Sequence, residues 1–280
     1  GVQTCALPIS RLLPRLCSSL RVASMPKRSL YIKQSGDPVH YADAEAAIEG
    51  NVRSGNRVYV HMGAAHPRLL TAALAAQHER LRDVEVVHLH VEGELDYLKH
   101  PESFRHNALF IGSNARDAVS KGLADFTPIF FSEIPLLFRR MRMPLQVALI
   151  NVSPPDVHGF CSLGVSVDCS LAAVEMAKRV VAQVNPCMPR THGDGVIHIS
   201  AIDGFIECAE PLAEHHRPEL SAIEKKIGHH IATLIPDGAT LQMGIGNIPD
   251  AALAQLSNHR NLGIHTEMFS DGVIDLIECG

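Results

Sequence analysis

The sequence predicts an α/β fold around a mostly parallel sheet, followed by the beginning of a second α/β domain. Three observations carry that expectation. From residue 40 onward, short apolar runs alternate with stretches of helical period, the pattern of repeated βα units. Runs such as Leu145–Val152 and Val180–Val184 show almost no polar alternation, as strands covered on both faces require. A chain of 280 residues that is 46% hydrophobic and 20% charged is long enough for a buried core and two domains.

Taken in order, Asp43–Val52 reads as a helix, and Ser54-Gly55-Asn56 turns the chain into a strand at Arg57–His61. The loop Gly63–Pro67 leads into a helix ending near Ala76. Strands are predicted at Val84–His90, Ala108–Ile111, Pro128–Phe131, Leu145–Val152 and Val180–Val184. Helices are predicted after Asn114, at Ile134–Arg140 and near Leu171–Lys178. Residues 209–217 read as a linker, because they mix charges without periodicity before Pro218. The helix that follows is well signed. Leu220, Ile223, Ile227, Ile231 and Leu234 recur at three or four residues, and Ser221 and Glu224 have capping-box spacing. A strand Ala239–Met243, a tight turn, a helix opened by Pro249 and a strand Gly263–Glu267 come next. The expected organisation is a leader over 1–36, a first domain over 37–208, the linker, and the start of a second domain over 218–280.

Composition excludes several classes. The longest stretch without Asp, Glu, Lys or Arg, Met143–Pro155, is too short for a membrane helix of roughly 20 apolar residues. Seven cysteines, with no C-x-x-C pair, argue against a disulfide framework and a structural zinc box. Residues 1–36 hold six basic side chains and no acid, which leaves 19 basic against 30 acidic side chains in the remainder. So negative a body disfavours nucleic acid as a partner. Gly1–Ile9 lacks an initiator Met and looks like translated adapter sequence. From Ser10 the Arg-, Ser- and Leu-rich, acid-free text has the composition of a mitochondrial transit peptide, which points to the matrix, with the cytoplasm as the alternative.

Two motifs bear on chemistry. Gly244-Ile245-Gly246-Asn247-Ile248-Pro249 follows a strand and opens a helix, so its backbone N–H groups either cradle an oxyanion or simply make a tight βα turn. Pro249 occupies the third glycine position of a dinucleotide fingerprint, which counts against a dinucleotide. Glu267 stands at the carboxyl end of a predicted strand, where open α/β sheets bind ligands. A solvated acid at that position is the bland alternative; pairing with the glycine turn favours a nucleophile beside oxyanion donors. In the proline loop, Pro155, Asp156 and His158 either line a cleft or serve the turn. The seventeen histidines include the doublets His215-His216 and His229-His230 but no His-Glu-x-x-His, so no metal site is predicted. Cys161 and Cys169 read as small buried hydrophobes.

The segments Val152–Asp156 with His158–Gly164, Leu241–Ala251, and Gly263–Met268 with Asp271-Gly272 resemble the acetyl-CoA hydrolase/transferase family, and within it the 4-hydroxybutyrate CoA-transferases. The resemblance runs from about residue 40 to the last residue. It implies two similar open-sheet CoA-transferase-like domains, the second truncated here, with the glycine-rich CoA cradle lying beyond Gly280. It also implies that Glu267 is the catalytic glutamate, with the backbone N–H groups of Ile245 and Gly246 as oxyanion donors. Gly244, Asn247, Pro155 and His158 would contact substrate or CoA. The implied activity is transfer of CoA between a short-chain acyl-CoA and a carboxylate, of the acetate or 4-hydroxybutyrate type, through a glutamyl-CoA thioester. Coenzyme A is then a substrate and no cofactor is permanently bound. The expected partners are small molecules, with a homodimer as the open assembly question. Three readings compete: an acetyl-CoA hydrolase using the same glutamate, an inactive fragment lacking the CoA-binding wall, and a sugar-phosphate isomerase. The last is weakened by the absence of Lys or Arg between Lys226 and His259.

Overall fold

A parallel sheet of eight strands organises the first of two units into which the chain divides, the boundary falling between Ala213 and Glu214. The computed structural model describes residues 27–31, 36–214 and 219–279. In chain order the first unit contains β1 (Val39–His40), α1 (Ala44–Asn51), β2 (Arg57–Val60), α2 (Arg68–Ala76), β3 (Val84–His88), β4 (Phe104–Ala108), α3 (Arg116–Ser120) and β5 (Ala124–Phe126). It continues with α4 (Ile134–Arg139), β6 (Val147–Val152), β7 (Phe160–Ser162), α5 (Ser170–Met176), β8 (Arg179–Val184), β9 (Val196–His198) and β10 (Gly204–Glu207). The sheet order is β1-β10-β8-β6-β2-β3-β4-β5 with every neighbouring pair parallel. Strands β7 and β9 form a separate antiparallel pair.

Alternate residues of the central strands enter two different cores. Val58, Val60, Val147, Leu149 and Val181 join one with α1 and α2, while Tyr59, Ala148, Ile150, Val180 and Ala182 join the other with α4 and α5. The period-2 pleat sends successive side chains to opposite faces, and helices cover both, so these strands are apolar throughout.

Two expected strands sit elsewhere. The apolar runs at Ala108–Ile111 and Pro128–Phe131 mark strand ends and loops; the strands themselves are β4 and β5, a few residues earlier. The middle of β4 is polar, and partners across the sheet make that tolerable. Arg105 holds Asp125 through two nitrogens at 2.7 and 2.5 Å, Asn107 donates to Glu85 at 2.9 Å, and Thr127 donates to Asn107 at 2.8 Å.

The expected limits of leader and linker also shift. Lys27–Tyr31 packs on the first unit: Arg28 pairs with Asp203 at 2.8 Å and donates to Ala201 O at 2.9 Å, and Leu30 is buried in the core. This stretch of the expected leader therefore belongs to the fold, while residues 1–26 and 32–35 lie outside the described residues. At the other end, Glu210 exchanges hydrogen bonds with Asn185 and pairs with Arg68 at 3.0 Å, so the start of the expected linker is fastened to the first unit.

The second unit contains α6 (Ala222–Ala232), β11 (Thr240–Leu241), α7 (Asn247–Leu253), β12 (Gly263–Ile264) and α8 (Gly272–Cys279). The capping box is made: Ser221 Oγ accepts from Glu224 N at 3.2 Å and Glu224 accepts from Ser221 N at 2.7 Å. Pro249 sits in the first turn of α7, where an N–H has no intrahelical acceptor to lose. Ala232, Leu253, Leu256 and Val273 form this unit's buried cluster. Among the described residues no helix is long and apolar enough to cross a membrane.

Candidate active site

Strands β11 and β12 are parallel, with Thr240 opposite Gly263 and Leu241 opposite Ile264. The pairing continues past the strands: His265 N donates to Leu241 O at 2.9 Å. Thr266 then closes a two-way clasp on Met243. Its hydroxyl donates to Met243 O at 2.7 Å, and the hydroxyl oxygen accepts from Met243 N at 3.1 Å. One residue beyond Met243 is Gly244, and one beyond Thr266 is Glu267. The glycine turn and the glutamate therefore leave the carboxyl ends of two neighbouring parallel strands from a common fixed point, where α/β sheets gather ligands.

The turn itself depends on glycine. Gly246 has φ 115° and ψ −177°, a region open essentially to glycine alone, and it opens α7. Among the described residues the N–H groups of Ile245 and Gly246 donate to no acceptor, and the exposed Glu267 carboxylate has neither an ion-pair nor a hydrogen-bond partner. A carboxylate and two backbone donors, each without a partner among the described residues, thus follow the clasped ends of neighbouring strands.

Two predicted binding residues of the turn behave differently. Gly244 has open space where a Cβ would stand. Asn247 instead gives its side-chain amide to Glu224 at 2.7 Å, so it ties the head of α7 to the capping box of α6. Asp250 of α7 takes a hydrogen bond from Ser270, which holds the segment just beyond Glu267. Sequence reasoning passed over both Thr266 and the Asp250–Ser270 pair. A threonine or serine near a strand end carries no signal until its partner is known.

Pro155 and His158 lie in the first unit, both exposed. Their loop is built by Asp156, whose carboxylate accepts from the N–H groups of His158 and Phe160 at 2.9 Å each and pairs with Arg190 at 2.7 Å. The Phe160 N–H first, then that of His158 and the Arg190 charge, hold the Asp156 carboxyl below its ordinary value. Gly159, at φ 84°, closes the loop against His198, whose Nε2 would stand 2.8 Å from an added Cβ. The histidines of the core serve packing: His61, His66, His88 and His106 are buried, and burial pushes each of them below the ordinary imidazole value.

Comparison with known proteins decides the family. A profile described as the acetyl-CoA hydrolase/transferase N-terminal domain matches residues 38–213. The chain belongs to the acetyl-CoA hydrolase/transferase family. It is 50% identical over 234 residues to a succinyl-CoA:acetate/propanoyl-CoA:succinate CoA transferase of Fasciola hepatica, a match covering 82% of this chain and 49% of the relative. It is 48% identical over 239 residues to a 4-hydroxybutyrate coenzyme A transferase of Clostridium kluyveri, covering 85% and 56%. Among solved structures, a 4-hydroxybutyrate CoA-transferase from Porphyromonas gingivalis superposes with a TM-score of 0.72 at 39% identity, over 85% of this chain and 57% of the other. The chain thus spans about half the length of the curated family members it matches.

Proposed function

We propose that the whole protein is a CoA-transferase that moves CoA between a short-chain acyl-CoA and a carboxylate, of the acetate or 4-hydroxybutyrate type, through a thioester on Glu267. The observation that carries this reading is the Thr266 clasp, which starts the free carboxylate and the glycine turn from one point. Membership of a family whose 48–50% identical members are named CoA transferases supports the reaction class.

In this mechanism the Glu267 carboxylate attacks the thioester carbonyl, and loss of CoA thiolate leaves a mixed anhydride. The thiolate returns to the glutamyl carbonyl and expels the first carboxylate, giving glutamyl-CoA. An incoming carboxylate reverses both steps. A glutamate with a reference pKa of ~4.3 is ionised at neutral pH, so no base is needed to activate it. Each tetrahedral oxyanion is received by the N–H groups of Ile245 and Gly246, one such donor being worth roughly 3 kcal/mol or more. Gly244 leaves room for the acyl group. Coenzyme A is substrate, not a resident cofactor. A homodimer and a mitochondrial matrix location complete the proposal.

The test is Glu267→Ala in the full-length protein, assayed for CoA transfer from acyl-CoA to acetate. A loss of at least about 1,000-fold in kcat, together with loss of borohydride-sensitive labelling by acyl-CoA, is the expected result. Undiminished transfer by the alanine variant refutes the assignment. Thiol release that ignores added acetate would instead favour the hydrolase reading, a reaction class represented by a relative only 24% identical, the acetyl-CoA hydrolase of Neurospora crassa.

A further inference from the structure

Away from the glycine turn, the fold brings together three side chains that the proposed reaction does not use. His78 lies just past α2, and His100 lies ahead of β4 in the same loop as Glu102. The two imidazoles stack with centroids 3.7 Å apart and planes 11° from parallel. Their Nδ1 atoms converge on one carboxylate oxygen, Glu102 Oε1, at 3.7 Å from His78 and 3.4 Å from His100. Three potential ligand atoms, one from each side chain, lie within 4.8 Å of one another.

Those separations have a metric meaning. Zinc binds imidazole nitrogen and carboxylate oxygen at about 2.0–2.2 Å, and tetrahedral placement at such bond lengths puts neighbouring ligand atoms roughly 3.4 Å apart. The two nitrogen–oxygen distances are close to that edge. The scaffold under them is braced: Ser103 Oγ donates to His78 O at 2.6 Å, Ser103 N donates to His100 O at 3.0 Å, and Arg82 also donates to His78 O at 2.6 Å. Coordination requires the stack to open, since each ring must bring its in-plane Nδ1 lone pair onto the same ion.

We propose that His78, His100 and Glu102 form a binding site for a divalent cation of the zinc type, with three protein ligands and a fourth position for water. Two imidazoles and a carboxylate are a donor set suited to such an ion. The ion would clip the end of α2 to the segment entering β4, joining two stretches that no local motif connects.

The experiment titrates Zn(II), and separately Co(II), into chelator-treated full chain, using calorimetry for stoichiometry and visible absorption for geometry. Wild type is compared with His78→Ala, His100→Ala and Glu102→Gln. The expected result is one zinc equivalent in wild type, weakened roughly 100-fold or more by either histidine variant and at least about 10-fold by Glu102→Gln. Co(II) should show the intense visible bands of a tetrahedral site in wild type only. Thermal melts without metal check that each variant is folded; Glu102→Gln, an exposed and near-isosteric change, keeps the test decisive if a histidine variant is not. Equal zinc binding by wild type and folded variants overturns the proposal. So does the absence of stoichiometric binding, which would leave the cluster a histidine–carboxylate contact only.

Discussion

The two units solve the burial problem to different extents. In the first, the faces of one eight-stranded sheet are each covered, and large side chains such as Tyr59, Phe138, Leu74 and Leu149 are wholly removed from water. In the second, four residues make the buried cluster, while Ile223, Leu234, Phe269 and Ile277 stand 59–82% exposed. The candidate nucleophile and its oxyanion donors belong to the less buried unit.

The strongest way to sharpen this contrast is a pair of truncations of side-chain volume. Phe138, packed edge-on against Tyr59 with centroids 5.7 Å apart, should cost about 3–5 kcal/mol when changed to Ala. Ile277→Ser, at a position 66% exposed, should fall within about 0.5 kcal/mol. Chemical denaturation of the chain measures both; an Ile277→Ser loss as large as that of Phe138→Ala would mean that the exposed face is covered in solution and would break the comparison.

Acid should act on the first unit next. Burial holds His66 at about 4, down from 6.5, so the native state keeps it neutral while the unfolded chain takes up a proton below pH 6.5. With more protons bound by the unfolded state, stability falls as pH drops from 6.5 toward 4 and is retained above 6.5. His66 alone accounts for on the order of 3 kcal/mol across that window. His61, His88 and His106 are shifted in the same direction and add to the slope. Denaturant melts at a series of pH values, comparing wild type with His66→Gln, should show a shallower slope in the variant; identical slopes would remove His66 from the account.

The smallest effect concerns how α6 meets α7. An added Cβ at Gly228 would stand 2.4 Å from Ala251 O and 2.9 Å from Ala252 N, both backbone atoms that cannot rotate away. Gly228→Ala should therefore destabilise the second unit by about 1–3 kcal/mol, although alanine in a helix interior ordinarily gains up to about 1 kcal/mol. A stabilised variant, read by thermal melting, would show that the two helices pack more loosely than their contact implies.

Much of the fold was legible because local rules and tertiary packing agree in it. Strands β6 and β8 read as strands since helices cover both faces, and α6 read as a helix since Ser221 and Glu224 satisfy its first turn from within four residues. Strand β4 was displaced in the reading because Arg105 and Asn107 look like loop residues until Asp125, Glu85 and Thr127 are set beside them. Of the candidate site, Glu267 and the glycine turn stood out by their place in the βα pattern. The Thr266 clasp did not, nor did the hydrogen bond from the Asn247 amide to Glu224.

What the sequence determined by itself is whatever is written at short range: the alternation of apolar runs and helices, the glycines that allow φ near +115° at the turn, and a carboxylate following a strand. The tertiary structure alone decided which distant groups meet. Thr266 clasps Met243 across 23 residues, and His78 stacks on His100 beside Glu102. The reason is physical. Propensity and capping act within a turn or two of the chain, whereas a hydrogen bond between strands or a shared ligand position exists only once the packing of the sheet has brought the partners into reach.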